Sequence, residues 1–343
     1  MSAPRTLVVA PGWVGDAVMA LPVLEALAAS GRRLRALAKP HLHPLLALVP
    51  AVEACVARSA TDAETVRAIR AAGCDEAVLL PNSFHAAWLA RRAGIPRRWG
   101  YRGDLRGWLL APAVPRPRGK RPQVEDYREL LAAMGVEPPP SWVPRLALPP
   151  ERAAEGRSLR ERAGLGGDEP VVGLFAGAEF GPSKRWPLER FVELSRRLRR
   201  ERPRLRQAIV AGPKEVWLSV RLHEQTGKVH PVVGPDLDLA RLAGVLAGLD
   251  LLITNDSGPM HLAAALGVPC VALFGPTDPA RTAPAGPGHH VLHSDRWCSP
   301  CFRRRCPLLH HGCMKDLTVE RALRSVLEVL ESASARKRGT GTN

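Results

Sequence analysis

Asp250-Leu251-Leu252-Ile253-Thr254-Asn255-Asp256-Ser257-Gly258-Pro259-Met260-His261-Leu262-Ala263-Ala264-Ala265-Leu266-Gly267 changes character twice within eighteen residues. Leu251 to Ile253 is an apolar run suited to a buried strand, Asn255 to Gly258 is a polar turn, and Pro259 to Leu266 has the composition of a helix. Proline suits the first helical turn because the amide it lacks would have no intrahelical partner there. Gly267 stops the helix and Pro269 keeps it stopped. The next apolar run, Cys270 to Phe274, predicts a second strand, closed by Gly275-Pro276-Thr277-Asp278-Pro279. The polar residues therefore fall at the carboxyl end of a strand, where open parallel sheets bind ligands. Amides at the helix start, with Ser257 and Gly258 beside them, suit a phosphate, and Asp256 suits a sugar hydroxyl. The plainer reading of Asp256 and Ser257 is a helix cap.

The same pattern recurs toward the N-terminus. Residues 7–10 predict a strand, Pro11-Gly12-Trp13-Val14-Gly15-Asp16 its turn, and residues 17–29 an apolar-periodic helix. With only Gly12 and Gly15, the turn lacks the G-x-G-x-x-G of dinucleotide-binding folds, which sets aside a Rossmann dehydrogenase. Asp16 falls at the helix start, where the dipole favours its charged form. A carboxylate kept ionised in a cleft serves as a general base, whereas the bland reading is again a cap. Strands are expected at 34–38 and 76–80, and helices at 44–48, 63–72 and, after Pro81-Asn82-Ser83-Phe84-His85, through Arg92. The stretch from Arg97 to Arg106 packs four arginines (Arg97, Arg98, Arg102, Arg106) with Trp99 and Tyr101. Guanidinium forks hold phosphates while aromatics stack on sugars; a solvated basic loop is the other reading. Residues 111–122 read as a surface loop and 123–134 as a helix. Pro138-Pro139-Pro140, Pro144 and Pro149-Pro150 then mark a linker, dividing the chain into domains at 1–150 and 151–331 with a disordered tail at 332–343.

The second half restarts the alternation. Residues 171–175 predict a strand, Gly177-Ala178-Glu179-Phe180-Gly181-Pro182-Ser183-Lys184-Arg185-Trp186-Pro187 its turn, and 188–200 a helix. Lys184 and Arg185 beside a helix start suit a diphosphate, although a lone basic pair is usually just solvated. Residues 207–211 predict a strand leading to Gly212-Pro213-Lys214-Glu215, where Glu215 is placed to accept from a ribose or base. Every polar turn here follows a strand, so all are expected on one edge of a doubly wound parallel α/β sheet.

Composition narrows the partners. The chain of 343 residues carries 49 Lys+Arg against 33 Asp+Glu, a balance that favours anionic partners. No helix-turn-helix, RNP or zinc-finger spacing accompanies the charge, so nucleic acid is not expected. No run approaches the ~20 apolar residues of a membrane span. The N-terminal residues run into a strand without a signal-peptide core, which reads as cytoplasmic.

Cys298, Cys301, Cys306 and Cys313 follow C-x2-C-x4-C-x6-C, with His310 and His311 between the last two. Four close thiols suggest a structural zinc site, ahead of an iron–sulfur cluster; the other reading is a cysteine-rich lid without metal.

Taken together these motifs resemble the lipopolysaccharide heptosyltransferases of glycosyltransferase family 9, over roughly residues 6–330. The marks are Pro11 to Asp16, Asn82-Ser83-Phe84, Gly94-Ile95-Pro96 with Gly100-Tyr101-Arg102-Gly103, Gly177 to Pro187, and Asn255 to His261. One departure is Phe175-Ala176, where members often carry a proline before the glycine. The resemblance implies a GT-B fold: two Rossmann-like domains facing across a cleft, acceptor on the N-terminal one and nucleotide-sugar donor on the C-terminal one. It implies metal-independent, inverting transfer of heptose from ADP-L-glycero-D-manno-heptose to the first heptose of the inner core, and thus heptosyl-Kdo2-lipid A as acceptor. Other family 9 acceptors are the alternative; a non-catalytic nucleotide-sugar or nucleic-acid binder ranks lower. It implies Asp16 as the base, and donor contacts from Lys184, Arg185, Glu215, Asp256, Ser257, Gly258 and His261. Acceptor contacts are expected from Gly15, Asn82, Ser83, Arg97, Arg98, Tyr101, Arg102 and Arg106. A lipid-linked acceptor implies peripheral association with the anionic cytoplasmic face of the inner membrane.

Overall fold

The computed structural model describes residues 3–119 and 121–339, with side chains described as far as residue 332. The chain divides after Ala147 into two compact units.

The first unit holds a six-stranded sheet of β1 (Arg5–Val9), β2 (Arg33–Ala38), β3 (Val52–Ala57), β4 (Glu76–Leu79), β5 (Arg97–Tyr101) and β6 (Ala113–Val114), ordered β3-β2-β1-β4-β5-β6. All its strand pairings are parallel. This is the doubly wound Rossmann order, in which the winding reverses between β1 and β4 and leaves a crevice beyond their carboxyl ends. The opposite, amino edge is tied by Glu76, 1% exposed, which accepts from Thr6 Oγ1 (2.9 Å), Arg32 Nε (2.8 Å) and Trp99 Nε1 (3.1 Å). Burial pushes that carboxyl up, but these donors outweigh it and hold it below its ordinary value.

The second unit repeats the plan with β7 (Val171–Phe175), β8 (Arg206–Val210), β9 (Val232–Val233), β10 (Leu251–Asn255), β11 (Cys270–Phe274) and β12 (His290–His293), ordered β12-β11-β10-β7-β8-β9. Counted from its own first strand the order is the same, and its reversal lies between β7 and β10. Every residue of β7, β10 and β11 is buried, as expected for strands covered on both faces. Trp186 anchors the turn after β7 in this core, edge-on to Phe191 at 5.1 Å and donating from Nε1 to Leu317 O at 2.8 Å.

Several elements depart from the sequence reading. The basic stretch at 97–106 is not a loop in its first half but β5, because Gly100 and Tyr101 are buried and its backbone continues the ladder from β4. The expected helix at 123–134 is a 3-10 turn, Gln123–Glu125, and a short helix, Arg128–Ala133. The helix Val319–Gly339 carries the backbone through most of the stretch read as a disordered tail; residues 340–343 lie outside the described ones. The helix Pro150–Arg162 leaves no signature in the sequence because it has no apolar stripe and buries only Gly156. That glycine crosses Gly244 of the helix Leu239–Leu246 so closely that a Cβ on it would stand 2.2 Å from the Gly244 carbonyl carbon.

Gly156→Ala should therefore destabilise the protein by about 1–3 kcal/mol in urea unfolding, although alanine is the better helix former. A variant as stable as the parent would show that the two helices do not cross at this glycine.

Candidate active site

In the second unit the turns after β7, β10 and β11 meet at the carboxyl edge, beside the winding reversal. Asp256, 4% exposed, accepts at one oxygen, Oδ2, from Lys184 Nζ (2.5 Å) and Thr277 Oγ1 (2.6 Å). Its neighbour Asn255, fully buried, accepts at Oδ1 from the Trp186 amide (3.0 Å) and donates from Nδ2 to Ala176 O (2.8 Å) and Gly177 O (3.1 Å). One dipeptide at the end of β10 thus fixes both ends of the turn that carries Lys184. An ammonium has three donors, so a lysine anchored on a carboxylate can still meet a second anion. Lys184 also lies 4.8 Å from the Phe180 ring centre.

Ser257 and Asp256 do not act as the helix cap that the plainer reading assigned them. Ser257 occupies the N-cap position of the helix Gly258–Ala265 but makes no side-chain cap; its hydroxyl bonds Thr254 Oγ1 at 3.0 Å. Gly258 opens the helix, and His261, 6% exposed, follows one turn on. Burial pushes the His261 imidazole down to about 4 against the pull of Asp256, with Lys184 adding to the depression, so it is neutral at neutral pH.

Glu215 brackets the turns after β7 and β8. Its Oε1 accepts from the Ala178 amide (2.9 Å) and from Arg185 Nη2 (2.6 Å). Gly177 must lack a side chain here, since a Cβ would sit 2.3 Å from Glu215 Oε2. The Arg185 guanidinium lies 5.6 Å from the ring centre of Trp217, which is half exposed. Thr277 and Trp217 were not singled out from sequence. Thr277 lies in the polar turn already marked after β11, and Trp217 opens a helix just beyond Glu215.

The cysteine segment packs against the same turn without forming the expected metal site. Among the described residues no group of three or more His, Cys, Asp or Glu is placed to hold a metal. Cys298 Sγ lies 3.9 Å from His310 Nε2, and burial, with the Cys301 thiol next in effect, pushes the Cys313 thiol up to about 11. The segment instead straps the Lys184 turn. Ser183 donates from Oγ to Arg303 O (2.5 Å) and from its amide to Arg304 O (3.2 Å), and His311 Nε2 bonds Ser183 O (2.8 Å).

In the first unit Asp16 is the third residue of the helix Val14–Met19, whose cap position is Trp13, so Asp16 is not the N-cap. Its Oδ1 accepts from Gln123 Nε2 at 2.9 Å, which sets the carboxylate's direction. Gly15, beside it, is buried. Lys39, exposed at the end of β2, approaches the same turn: a Cβ on Gly12 would meet its Nζ at 3.3 Å. Neither Gln123 nor Lys39 carried a motif. Ser83 caps the helix Phe84–Arg92 through the Ala86 amide, and Asn82 Oδ1 accepts from Arg106 Nη2 at 2.8 Å.

The arginine cluster disperses. Arg106 is fully buried and donates to Tyr101 O, Pro81 O, Ser83 O and Asn82; Arg98 is 9% exposed and donates to Leu109 O, Ile95 O and Pro96 O. Tyr101 is buried with its hydroxyl between Asp126 O and the Leu130 amide. These three, expected to touch the acceptor, are spent on backbone groups that would otherwise lack partners. Arg97 sits at the amino end of β5, in register with Glu76 and 3.8 Å from its carboxylate, on the edge away from Asp16. Of the four, only Arg102 is exposed at the carboxyl edge.

Residues 63–311 match the model of glycosyltransferase family 9 (heptosyltransferase). The chain is 29% identical to lipopolysaccharide heptosyltransferase 2 of Escherichia coli, covering 95% of this chain and 98% of the relative. It is 30% identical to lipopolysaccharide heptosyltransferase 2 of Salmonella typhimurium, with the same two coverages, 95% and 98%. The structure of the Escherichia coli ADP-heptose LPS heptosyltransferase II superposes with a TM-score of 0.81 at 28% identity, over 96% of this chain and 99% of that one. Two Rossmann-wound units in one chain give the GT-B fold that the family resemblance implies. With a family match over most of its length and relatives aligned nearly end to end, the chain belongs to glycosyltransferase family 9, the heptosyltransferases.

Proposed function

We propose that the protein transfers L-glycero-D-manno-heptose, with inversion, from ADP-heptose to the first heptose of the lipopolysaccharide inner core. The observation that carries this reading is the Lys184–Asp256–Thr277 cluster at the winding reversal of the second unit, in a chain similar throughout to heptosyltransferase 2.

On this reading the second unit holds the donor. Lys184, with Arg185 and the first amides of the helix Gly258–Ala265, meets the diphosphate; Asp256, Ser257 and the neutral His261 meet the heptose side. Glu215 and Trp217 lie on the nucleoside side, the indole offering a flat apolar face. The first unit holds the acceptor, with Gly15, Asn82 and Ser83 shaping the turn edge and Arg102 and Lys39 meeting its anionic groups. Asp16, aimed by Gln123, removes the acceptor hydroxyl proton. The freed oxygen attacks the anomeric carbon from the face opposite the diphosphate. The bond from that carbon to the diphosphate oxygen breaks, and its electron pair leaves on ADP. Charge grows on the leaving group as the bond breaks, and positive groups fixed around it lower the barrier more than they stabilise the bound donor. Among the described residues no helix is long and apolar enough to cross a membrane. The lipid-linked acceptor then requires the protein to work from the cytoplasmic surface of the inner membrane as a peripheral protein.

Two variants test the roles separately. Asp16→Asn should lower turnover by roughly 10²–10⁴ while calorimetry finds ADP-heptose affinity within about twofold of the parent; an active variant would remove the base assignment. Lys184→Gln, checked for folding by its thermal midpoint, should weaken donor binding and lower kcat by about 10²–10³. Unchanged kinetics would put the diphosphate elsewhere.

A further inference from the structure

The large apolar side chains left in water by the first unit are not scattered. Among its described residues they are Trp13 (41% exposed), Phe84 (41%), Leu105 (88%) and Trp108 (63%). All four come from segments that follow β1, β4 and β5, so all belong to the carboxyl edge that also carries Asp16. Phe84 and Trp108 are in contact, ring centres 6.2 Å apart, and the Arg91 guanidinium lies 5.4 Å from the Trp108 ring centre.

The turn bearing Leu105 is built to hold it outward. Asp104 and Leu105 are consecutive left-handed residues, at φ 48° and 56°, a conformation that side chains of this kind avoid. Directly after them the buried Arg106 clamps the turn through Pro81 O, Ser83 O and Tyr101 O. A strained backbone secured by a buried guanidinium, with a leucine projected into solvent, is what a working surface looks like rather than a packing remnant. The exposed charge around it is one-sided: with Arg98 and Arg106 buried and Arg97 on the opposite edge, residues 84–119 expose Arg91, Arg92, Arg102, Arg116 and Arg118 against one acid, Asp104.

We propose that this edge of the first unit is a docking surface for an anionic lipid bilayer, with Leu105 and Trp108 entering the headgroup layer and the surrounding arginines meeting lipid phosphates. It rests on the reading of the acceptor as a glycolipid and adds where the protein meets the membrane. Tryptophan and arginine suit the interfacial zone, and an apolar anchor plus a basic patch supplies the two signals that reversible attachment needs. A single-stranded nucleic acid would also suit cations and rings, but an isolated leucine offers no face for a base to stack on.

The test uses the full chain with vesicles of phosphatidylglycerol and phosphatidylethanolamine, against vesicles of phosphatidylcholine alone. The parent should co-sediment with the anionic vesicles only, and less as salt rises. Leu105→Asp and Trp108→Ala should each lower partitioning about tenfold, and Arg91→Glu should lower it at least roughly fivefold. All three should keep the parent's ADP affinity and its rate on a water-soluble, deacylated acceptor. Equal binding to both vesicles, or variants that partition like the parent, would overturn the proposal. So would an oligonucleotide that displaces the parent from anionic vesicles and binds the Leu105 and Trp108 variants more weakly than the parent. Loss of ADP binding or soluble-acceptor transfer in the parent would instead refute the functional reading, whatever the vesicles show.

Discussion

Asp256 is a carboxylate almost wholly out of water, and a charge in that position must be matched or it destabilises the fold. It is matched by Lys184 from the turn after β7 and by Thr277 from the turn after β11. Removing one partner from such a pair typically costs about 3–5 kcal/mol, because the other charge stays buried alone. The requirement therefore holds three turns from three strands in one arrangement. Asn255 reinforces it by bonding the backbone at both ends of the Lys184 turn, and Trp186 pins that turn into the core. A cation held this way is preorganised: it need not be drawn out of solvent when an anion arrives.

Much of the framework was legible because strand, polar turn and helix follow one another with distinct chemistry. The runs at β1, β7, β10 and β11 are apolar, and their turns contain Gly, Pro, Asp, Ser or Lys, so the carboxyl edge on which these turns meet is legible in sequence. Distance in sequence hid the rest. Thr277 meets Asp256 across 21 residues, and Gln123 meets Asp16 across 107; neither pairing leaves a local pattern. The helix Pro150–Arg162 was invisible because it packs through a glycine and not a stripe.

The arginines show how composition misleads. A formal net charge of +16 invites every basic cluster to be read as a binding surface. Yet Arg98 and Arg106 donate inward to carbonyls, and burial pulls both below the ordinary arginine value. Five N–H donors in a planar fork make arginine the side chain best able to satisfy several carbonyls at once. Sequence cannot separate that use from phosphate binding, since both need the same fork. The cysteine segment also does something its spacing does not announce: it straps the Lys184 turn through Ser183 and His311.

On the proposed function, a donor bound by the second unit meets an acceptor hydroxyl deprotonated by Asp16 of the first. The most direct test is transfer from ADP-heptose with Kdo2-lipid A and its mono-heptosylated form offered side by side, products resolved by mass. The account predicts a gain of one heptose on the mono-heptosylated acceptor and none on the other. Heptose appearing on unheptosylated Kdo2-lipid A, with the mono-heptosylated form untouched, would contradict it.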